Sequence, residues 1–245
     1  MAEDVPAKFL FAVAVAIPGL NPFFVKNQTP LEDSYYHKGM RKRLVASLRK
    51  KGIRDERILK AMESLPRHFF LEKAFEEWAY EDKAFPIGHE QTISQPYTVA
   101  YQTMLVDVQK REKILEIGTG SGYQAAILAL LGARVYTIER QEGLYRQAVE
   151  LLQELGFGNI RCFFRDGNKG LPEFAPFDKI LVTAGAETVP PALLAQLAIG
   201  GALVIPVGKD LQKMYRITRI GEEEYEEEQF ATFRFVPFLK GTKKN

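Results

Sequence analysis

From about residue 113 onward, apolar residues fall into two alternating patterns. Short continuous runs at 113–117, 135–139, 160–164, 179–183 and 202–207 are separated by stretches in which apolar residues return every three or four positions. Continuous runs bounded by turn residues predict strands buried on both faces, and the longer period predicts helices packed over them. The helical stretches are 123–131, 141–155 and 190–197. The second carries Leu144, Ala148, Leu151, Leu152 and Leu155 on one face, and the third opens on proline in its first turn. Strict alternation of this kind predicts a doubly wound α/β domain whose mostly parallel sheet is covered by helices on both sides. Glycines 200 and 201 read as the turn before the last parallel strand.

Upstream the pattern changes. Leu44, Val45 and Leu48 within 38–51, then Ile58, Leu59 and Met62 within 55–64, predict two short amphipathic helices. The charges Lys38, Arg41, Lys42, Arg43, Arg49, Lys50 and Lys51 read as a solvated helix face. Pro66 with Phe69, Phe70, Phe75 and Trp78 marks an irregular aromatic cap, and residues 86–96 form a polar segment bounded by prolines before a helix at 97–106. Near the end, 214–220 and 229–236 flank the acidic stretch 222–228, which predicts a hairpin with a solvated tip. The apolar run at 9–20 follows Glu3, Asp4 and Lys8 and is interrupted by Pro18 and Gly19. It lacks a basic leader and falls short of a membrane span, so a cytoplasmic protein is expected, with export as the alternative reading. The expected organisation is an N-terminal extension over 1–35 and a single domain over 36–245. That domain divides into a helical cap and substrate segment (36–112), a cofactor-binding core (113–208) and terminal strands (209–245).

Composition narrows the partners. Thirty-three basic against 31 acidic side chains leave a net charge of +2, too balanced to support a surface for a nucleic-acid backbone. The single cysteine, Cys162, can form neither a disulfide nor a cysteine metal site within the chain and fits a reducing compartment. His37, His68 and His89 have no ligand spacing, so no metal is expected.

The run Lys113-Ile-Leu-Glu-Ile-Gly-Thr-Gly-Ser-Gly122 joins a buried strand to a glycine turn and a helix start, which brings backbone N–H groups and a positive dipole end together at one point. An ordinary strand-to-helix turn would look similar, so other strand ends must decide. Glu139 closes the second strand about 20 residues after the first glycines, where a carboxylate can accept from ribose hydroxyls. The third strand ends in Arg165-Asp166-Gly167, which offers a short carboxylate to a nucleobase amino group, although Asp-Gly is also a turn former. Gly118, Gly120 and Gly122 give G-x-G-x-G, with Tyr123 where a dinucleotide site would carry its third glycine. Glu116, just before the turn, is ill-suited to a pyrophosphate and suited to a sulfonium or an ammonium group. Together these features point to S-adenosyl-L-methionine.

With SLPRHFF (64–70), QTISQP (91–96), LEIGTGSGYQAA (115–126), the Arg165-Asp166-Gly167 turn, FDKILVTAGAETVPPALLAQLAIGGALVIPVG (177–208) and Phe235-Val236-Pro237, the chain resembles the protein-L-isoaspartate (D-aspartate) O-methyltransferase family over most of 38–239. The resemblance implies a Rossmann-like, S-adenosyl-L-methionine-dependent methyltransferase domain with an N-terminal helical cap and an unusual C-terminal sheet arrangement. It implies methyl transfer to the free α-carboxylate of L-isoaspartyl residues in damaged proteins and peptides, which initiates repair. Ser94 falls on the family's active-site serine, beside Thr92 and Ile93, which would contact cofactor or substrate. Glu116, Gly118, Thr119, Gly120, Gly122, Glu139, Arg140, Asp166 and Gly167 fall on cofactor positions. Val99 stands where some relatives have histidine, and Leu239 where a threonine can occur. The expected partners are isoaspartyl proteins and peptides, with no nucleic acid and no membrane, acted on by a monomer. An isoaspartyl carboxylate is already ionised near neutral pH, so no general base is needed and Ser94 is expected to position the acceptor rather than attack. A methyltransferase acting on nucleic acid or a small molecule is the main rival. Base amino-group methylation would favour Asn/Asp-Pro-Pro-aromatic after the fourth strand, where this chain has Thr183-Ala184-Gly185-Ala186. Asn21-Pro22-Phe23-Phe24 lies far upstream of the cofactor strand. A catalytically silent binding module is opposed by the intact QTISQP stretch.

Overall fold

The computed structural model describes residues 31–244; the apolar run at 9–20 and the rest of 1–30 lie outside the described residues. Helix α1 (Tyr35–Lys50) starts at Ser34, whose hydroxyl accepts from His37 N, and α2 (Glu56–Ser64) starts at Asp55, whose carboxylate accepts from Arg57 N. The two pack on each other through the predicted Leu44, Val45, Leu48, Ile58, Leu59 and Met62. A small hairpin that the sequence pattern did not predict, β1 (Phe85–Pro86) with β2 (Thr92–Ile93), leads into α3 (Pro96–Val106), which has Pro96 in its first turn.

The sheet follows. Its elements in chain order are β3 (Lys113–Ile117), α4 (Tyr123–Leu130), β4 (Arg134–Glu139), α5 (Glu142–Glu154), β5 (Arg161–Phe164), β6 (Phe177–Val182), α6 (Pro191–Ala195), β7 (Leu197–Val207), β8 (Gln212–Arg219) and β9 (Tyr225–Phe233). The strand order is β5-β4-β3-β6-β7-β8-β9, parallel as far as β7 and antiparallel for the last two. Because side chains alternate along a strand, each strand feeds two cores. Ile114, Val135, Leu181 and Val204 belong to the core under α3 and α4, whereas Leu115, Ile117, Ile138, Ile180, Val182 and Leu203 belong to the opposite one. The chain leaves β3 toward β4 and β5, then returns on the other side of β3 as β6. The crevice of an open α/β sheet forms beyond strand ends at such a reversal.

Three expectations need correction. Arg41 is not on the solvated face of α1: it is buried, with paired bonds to Asp33 at 2.9 Å each and a further bond to Tyr80 at 3.0 Å. Glycines 200 and 201 do not precede the fifth parallel strand but lie inside it. Phe177 N donates to Gln196 O at 2.8 Å, which draws Leu197 into the ladder and shortens α6, and a register shift follows between Phe177 and Lys179. The acidic stretch is not all hairpin tip, since Glu226, Glu227 and Glu228 pair with Thr218, Ile217 and Arg216. They lie on the sheet's outer edge, where charged side chains are compatible with pairing on one side and discourage it on the other. Among the described residues, no helix is long and apolar enough to cross a membrane.

Candidate active site

At the end of β3 the backbone turns at Gly118 (φ +101°), where an added Cβ would lie 2.4 Å from Thr183 Oγ1. That hydroxyl is shared between Ile117 O (2.9 Å) and Gly118 O (2.8 Å), so the ends of β3 and β6 are tied together at the reversal point. Gly118 N and Thr119 N donate to Ile138 O on β4. Glu139, almost fully buried, holds the turn from the other side: its Oε2 accepts from Gly120 N at 2.9 Å, and its Oε1 accepts from Arg140 N and Gln141 N at 2.8 Å each.

Glu116 lies beneath this floor, not on it. It shares the strand face of Ile114, is fully buried, and accepts from Thr137 Oγ1 at 2.5 Å; Thr137 in turn bonds Thr119 Oγ1 at 2.7 Å. Its second oxygen, Oε1, has no partner among the described residues. Burial, reinforced by the nearby charge of Glu139 and partly offset by the Thr137 hydrogen bond, pushes its carboxyl up to about 8. The expectation of an anion facing a sulfonium is therefore corrected: near neutral pH this is mostly a neutral acid supporting the turn through two threonines.

The proline-bounded segment at 86–96 approaches from the opposite wall. The β1–β2 hairpin turns through Gly88, His89 and Glu90, all at positive φ. Behind it, fully buried Arg67 donates from Nε to Ala79 O (2.9 Å) and from Nη2 to Ser94 O (3.0 Å), and its guanidinium lies 5.1 Å from the centre of the Tyr123 ring. Among the described residues no carboxylate hydrogen-bonds it, and burial lowers its pKa to about 10, still charged near neutral pH. Arg67 thus holds the backbone of Ser94 against the helix that starts at the glycine turn. Among the described residues the Ser94 hydroxyl has no hydrogen-bond partner, and no histidine or carboxylate is bonded to it.

These walls enclose a cavity that brings Thr92, Ile93 and Ser94 together with Gly118, Thr119, Gly120 and Glu139. A second cavity, sharing Gln91, Gly118, Glu139 and Ala184 with the first, adds Arg140 and Gly167. Besides Glu116, two expected residues line neither cavity. Gly122 faces Leu152 of α5, and Asp166 caps a short 3-10 turn by accepting from Asn168 N at 3.0 Å. Arg140 lines the second cavity while its Nε donates to Gly241 O. Gly167 is there because of close approach: a Cβ would lie 2.4 Å from Ile117 Cγ2 and 3.1 Å from the Phe238 ring.

Sequence reasoning missed Gln91, Ser121, Tyr123, Gln124, Thr183, Ala184 and Val236 as lining groups, although Thr183 and Ala184 directly follow β6 and Ser121, Tyr123 and Gln124 come soon after β3. It singled out Val99 and Leu239 as departures, and both line the trough. The remaining wall comes from the segment after β9. Gly185 N donates to Val236 O and Phe238 N to Gly185 O, each at 2.8 Å, which carries Val236, Pro237, Phe238 and Leu239 across the strand ends.

The histidines are less scattered than the sequence suggests. His37 and His68 stack at 3.9 Å, and ligand atoms of Asp33, His37 and His68 lie within 4.8 Å of one another. Both oxygens of Asp33 are engaged by Arg41, His37 faces Ser34 and Glu76, and His68 Nδ1 bonds Tyr80 at 2.6 Å. This arrangement is a packed polar cluster in the cap.

The model of the family described as protein-L-isoaspartate (D-aspartate) O-methyltransferase matches residues 39–243. The chain belongs to this family. It is 54% identical over 210 residues to the protein-L-isoaspartate O-methyltransferase of Christiangramia forsetii, covering 86% of this chain and 99% of the relative. The family member of Salinibacter ruber is 50% identical over 222 residues, covering 86% and 96%. Among solved structures, a protein-L-isoaspartate O-methyltransferase superposes with a TM-score of 0.74 at 30% identity, covering 80% of this chain and 65% of that longer one. A structure from Plasmodium falciparum, described as a family member in complex with S-adenosyl-L-homocysteine, gives 0.73 at 25% identity over 84% of this chain and 99% of its own. The family match extends from α1 to the segment after β9, so it includes both walls of the trough.

Proposed function

We propose that this protein transfers a methyl group from S-adenosyl-L-methionine to the free α-carboxylate of L-isoaspartyl residues in damaged proteins and peptides, the step that opens their repair. The observation that carries this reading is the single trough in which the Ser94 hairpin meets the glycine floor. Its residues fit the cofactor. Gly118 and Gly167 leave room that a Cβ would fill, and Glu139 presents a carboxylate at the second strand's end. Gly118, Thr119, Gly120, Glu139 and Gly167 would hold it, with Ile117, Ile138 and Phe238 as apolar walls. When bound, the cofactor supplies an electrophilic methyl group on a sulfonium.

The chain's own task is then binding, orientation and exclusion of water. The acceptor carboxylate needs no base, given reference values of roughly 3.3 to 3.9. Ser94, with a hydroxyl unengaged by the protein and a backbone held by Arg67, donates to that carboxylate and fixes its direction. Ile93, Val99 and Val236 keep the surroundings apolar, which limits hydration of the nucleophile.

A trough complete within one chain supports a monomer. The balanced charge supports a protein partner over nucleic acid, and the lone free thiol of Cys162 supports the cytoplasm. The direct test is labelled methyl transfer to matched peptides that differ only in isoaspartyl or aspartyl linkage. Labelling confined to the isoaspartyl member is expected, and equal labelling of both refutes the proposal.

A further inference from the structure

Beside Ser94 the trough opens into a groove of about 410 Å³ that shares Thr92, Ser94, Thr183 and Val236 with it and runs on past Thr98 to Arg234. Among the described residues every other side chain lining this groove is neutral, so Arg234 is their one formal charge. The backbone that carries Arg234 is pinned on both sides. Phe233 pairs with Gln212 in the β8–β9 ladder, and Phe235 N donates to Gln212 Oε1 at 2.9 Å. The Phe233 ring lies 5.2 Å from Tyr101 and 6.2 Å from Phe235. Arg234 itself is exposed and forms no ion pair among the described residues.

An unpaired guanidinium on a pinned backbone next to an open groove acts on whatever chain lies there. Arg234 directly follows β9, and the nearest glutamate of that strand, Glu228, is six residues away, roughly 20 Å at about 3.4 Å per residue. That is about two and a half Debye lengths at physiological salt, so the acidic half of β9 leaves the local field of Arg234 standing.

We propose that Arg234 sets a sequence-context preference: isoaspartyl peptides with an acidic side chain within two residues of the damaged site are methylated in preference to neutral ones. This rests on the methyl-transfer reading above and adds a substrate class to it. Arginine suits the role because its charge is permanent and its planar fork matches a carboxylate. Exposed ion pairs contribute modestly, so the expected preference is about two- to fivefold in kcat/KM, fading as salt rises.

The test uses the full chain and three sets of isoaspartyl peptides, with glutamate, glutamine or lysine placed on either flank. The readout is the ratio of kcat/KM between charged and neutral peptides, which a general loss of fold or rate does not move. In the wild type the glutamate peptide is expected to lead on at least one flank at low salt, and that lead is expected to collapse at high salt. Arg234→Gln should bring the ratio to about one, Arg234→Lys should keep part of it, and Arg234→Glu should turn the preference toward the lysine peptide. A wild-type ratio of one on both flanks, or a preference that survives Arg234→Gln, overturns the inference while leaving methyl transfer intact. No transfer even to the neutral isoaspartyl peptide would instead defeat the underlying function.

Discussion

Replacing Glu116 by glutamine should make the protein more stable, and increasingly so as pH rises. The carboxyl is fully buried on β3, has one hydroxyl partner, and is raised from 4.5 to about 8. Between those values the folded protein keeps a proton that the unfolded chain has released. The folded state binds more protons, so stability falls as pH climbs through the window. At about 1.36 kcal/mol per unit, the difference of 3.5 between the two values amounts to a loss on the order of 5 kcal/mol across the window, of which about 3 kcal/mol is already incurred by pH 7. Glutamine cannot ionise, has nearly the same shape, and retains polar atoms for Thr137. Urea unfolding of the wild type and Glu116→Gln near pH 5.5, 7 and 8.5 isolates the effect, because all other titrating groups are common to both proteins. The stability gap is expected to widen at each step. Parallel curves would mean that the buried carboxyl titrates at its ordinary value, and the account of it as a neutral support would be wrong.

Other changes separate the two walls of the trough. Ser94→Ala should lower kcat about ten- to hundredfold, the scale of one hydrogen bond to a charged group, with an unchanged melting temperature; an unaltered rate on isoaspartyl peptide would remove its positioning role. Glu139→Ala leaves the N–H groups of Gly120, Arg140 and Gln141 without their acceptor, so calorimetry should show cofactor affinity weakened at least about tenfold and thermal melting should show lower stability. Gly167→Ala puts a methyl group into Ile117 and Phe238 and should weaken cofactor binding in the same titration; full affinity would show that the second cavity is not used.

The sequence disclosed the sheet because its strands are buried on both faces and leave uninterrupted apolar runs, and because the glycine turn and the residue types at strand ends carry chemistry locally. The rest depended on contacts that local pattern does not encode. Two-residue strands at 85–86 and 92–93 are too short for any period to register. The burial of Arg41 comes from Asp33, which precedes the helix, and from Tyr80, which is 39 positions away. Glu116 was misplaced for a subtler reason. It stands next to the cofactor turn in sequence, but side-chain alternation turns it inward with Ile114, and a strand apolar on both faces gives no clue to which parity looks at the ligand. The family resemblance supplied Thr92, Ile93 and Ser94, which periodicity alone could not have joined to the glycines.

The order in which the chain completes its architecture has a practical outcome. All strands and helices named above are finished by Phe233, yet Val236, Phe238 and Leu239, which line the two cavities, come afterwards, in a segment held through Gln212, Gly185 and the Arg140–Glu142 turn. A cut just beyond residue 233 would leave every named strand and helix in the chain yet remove Val236, Phe238 and Leu239 from the cavity walls. For such a species, the amount of chain present and the completeness of its cavities are two separate quantities.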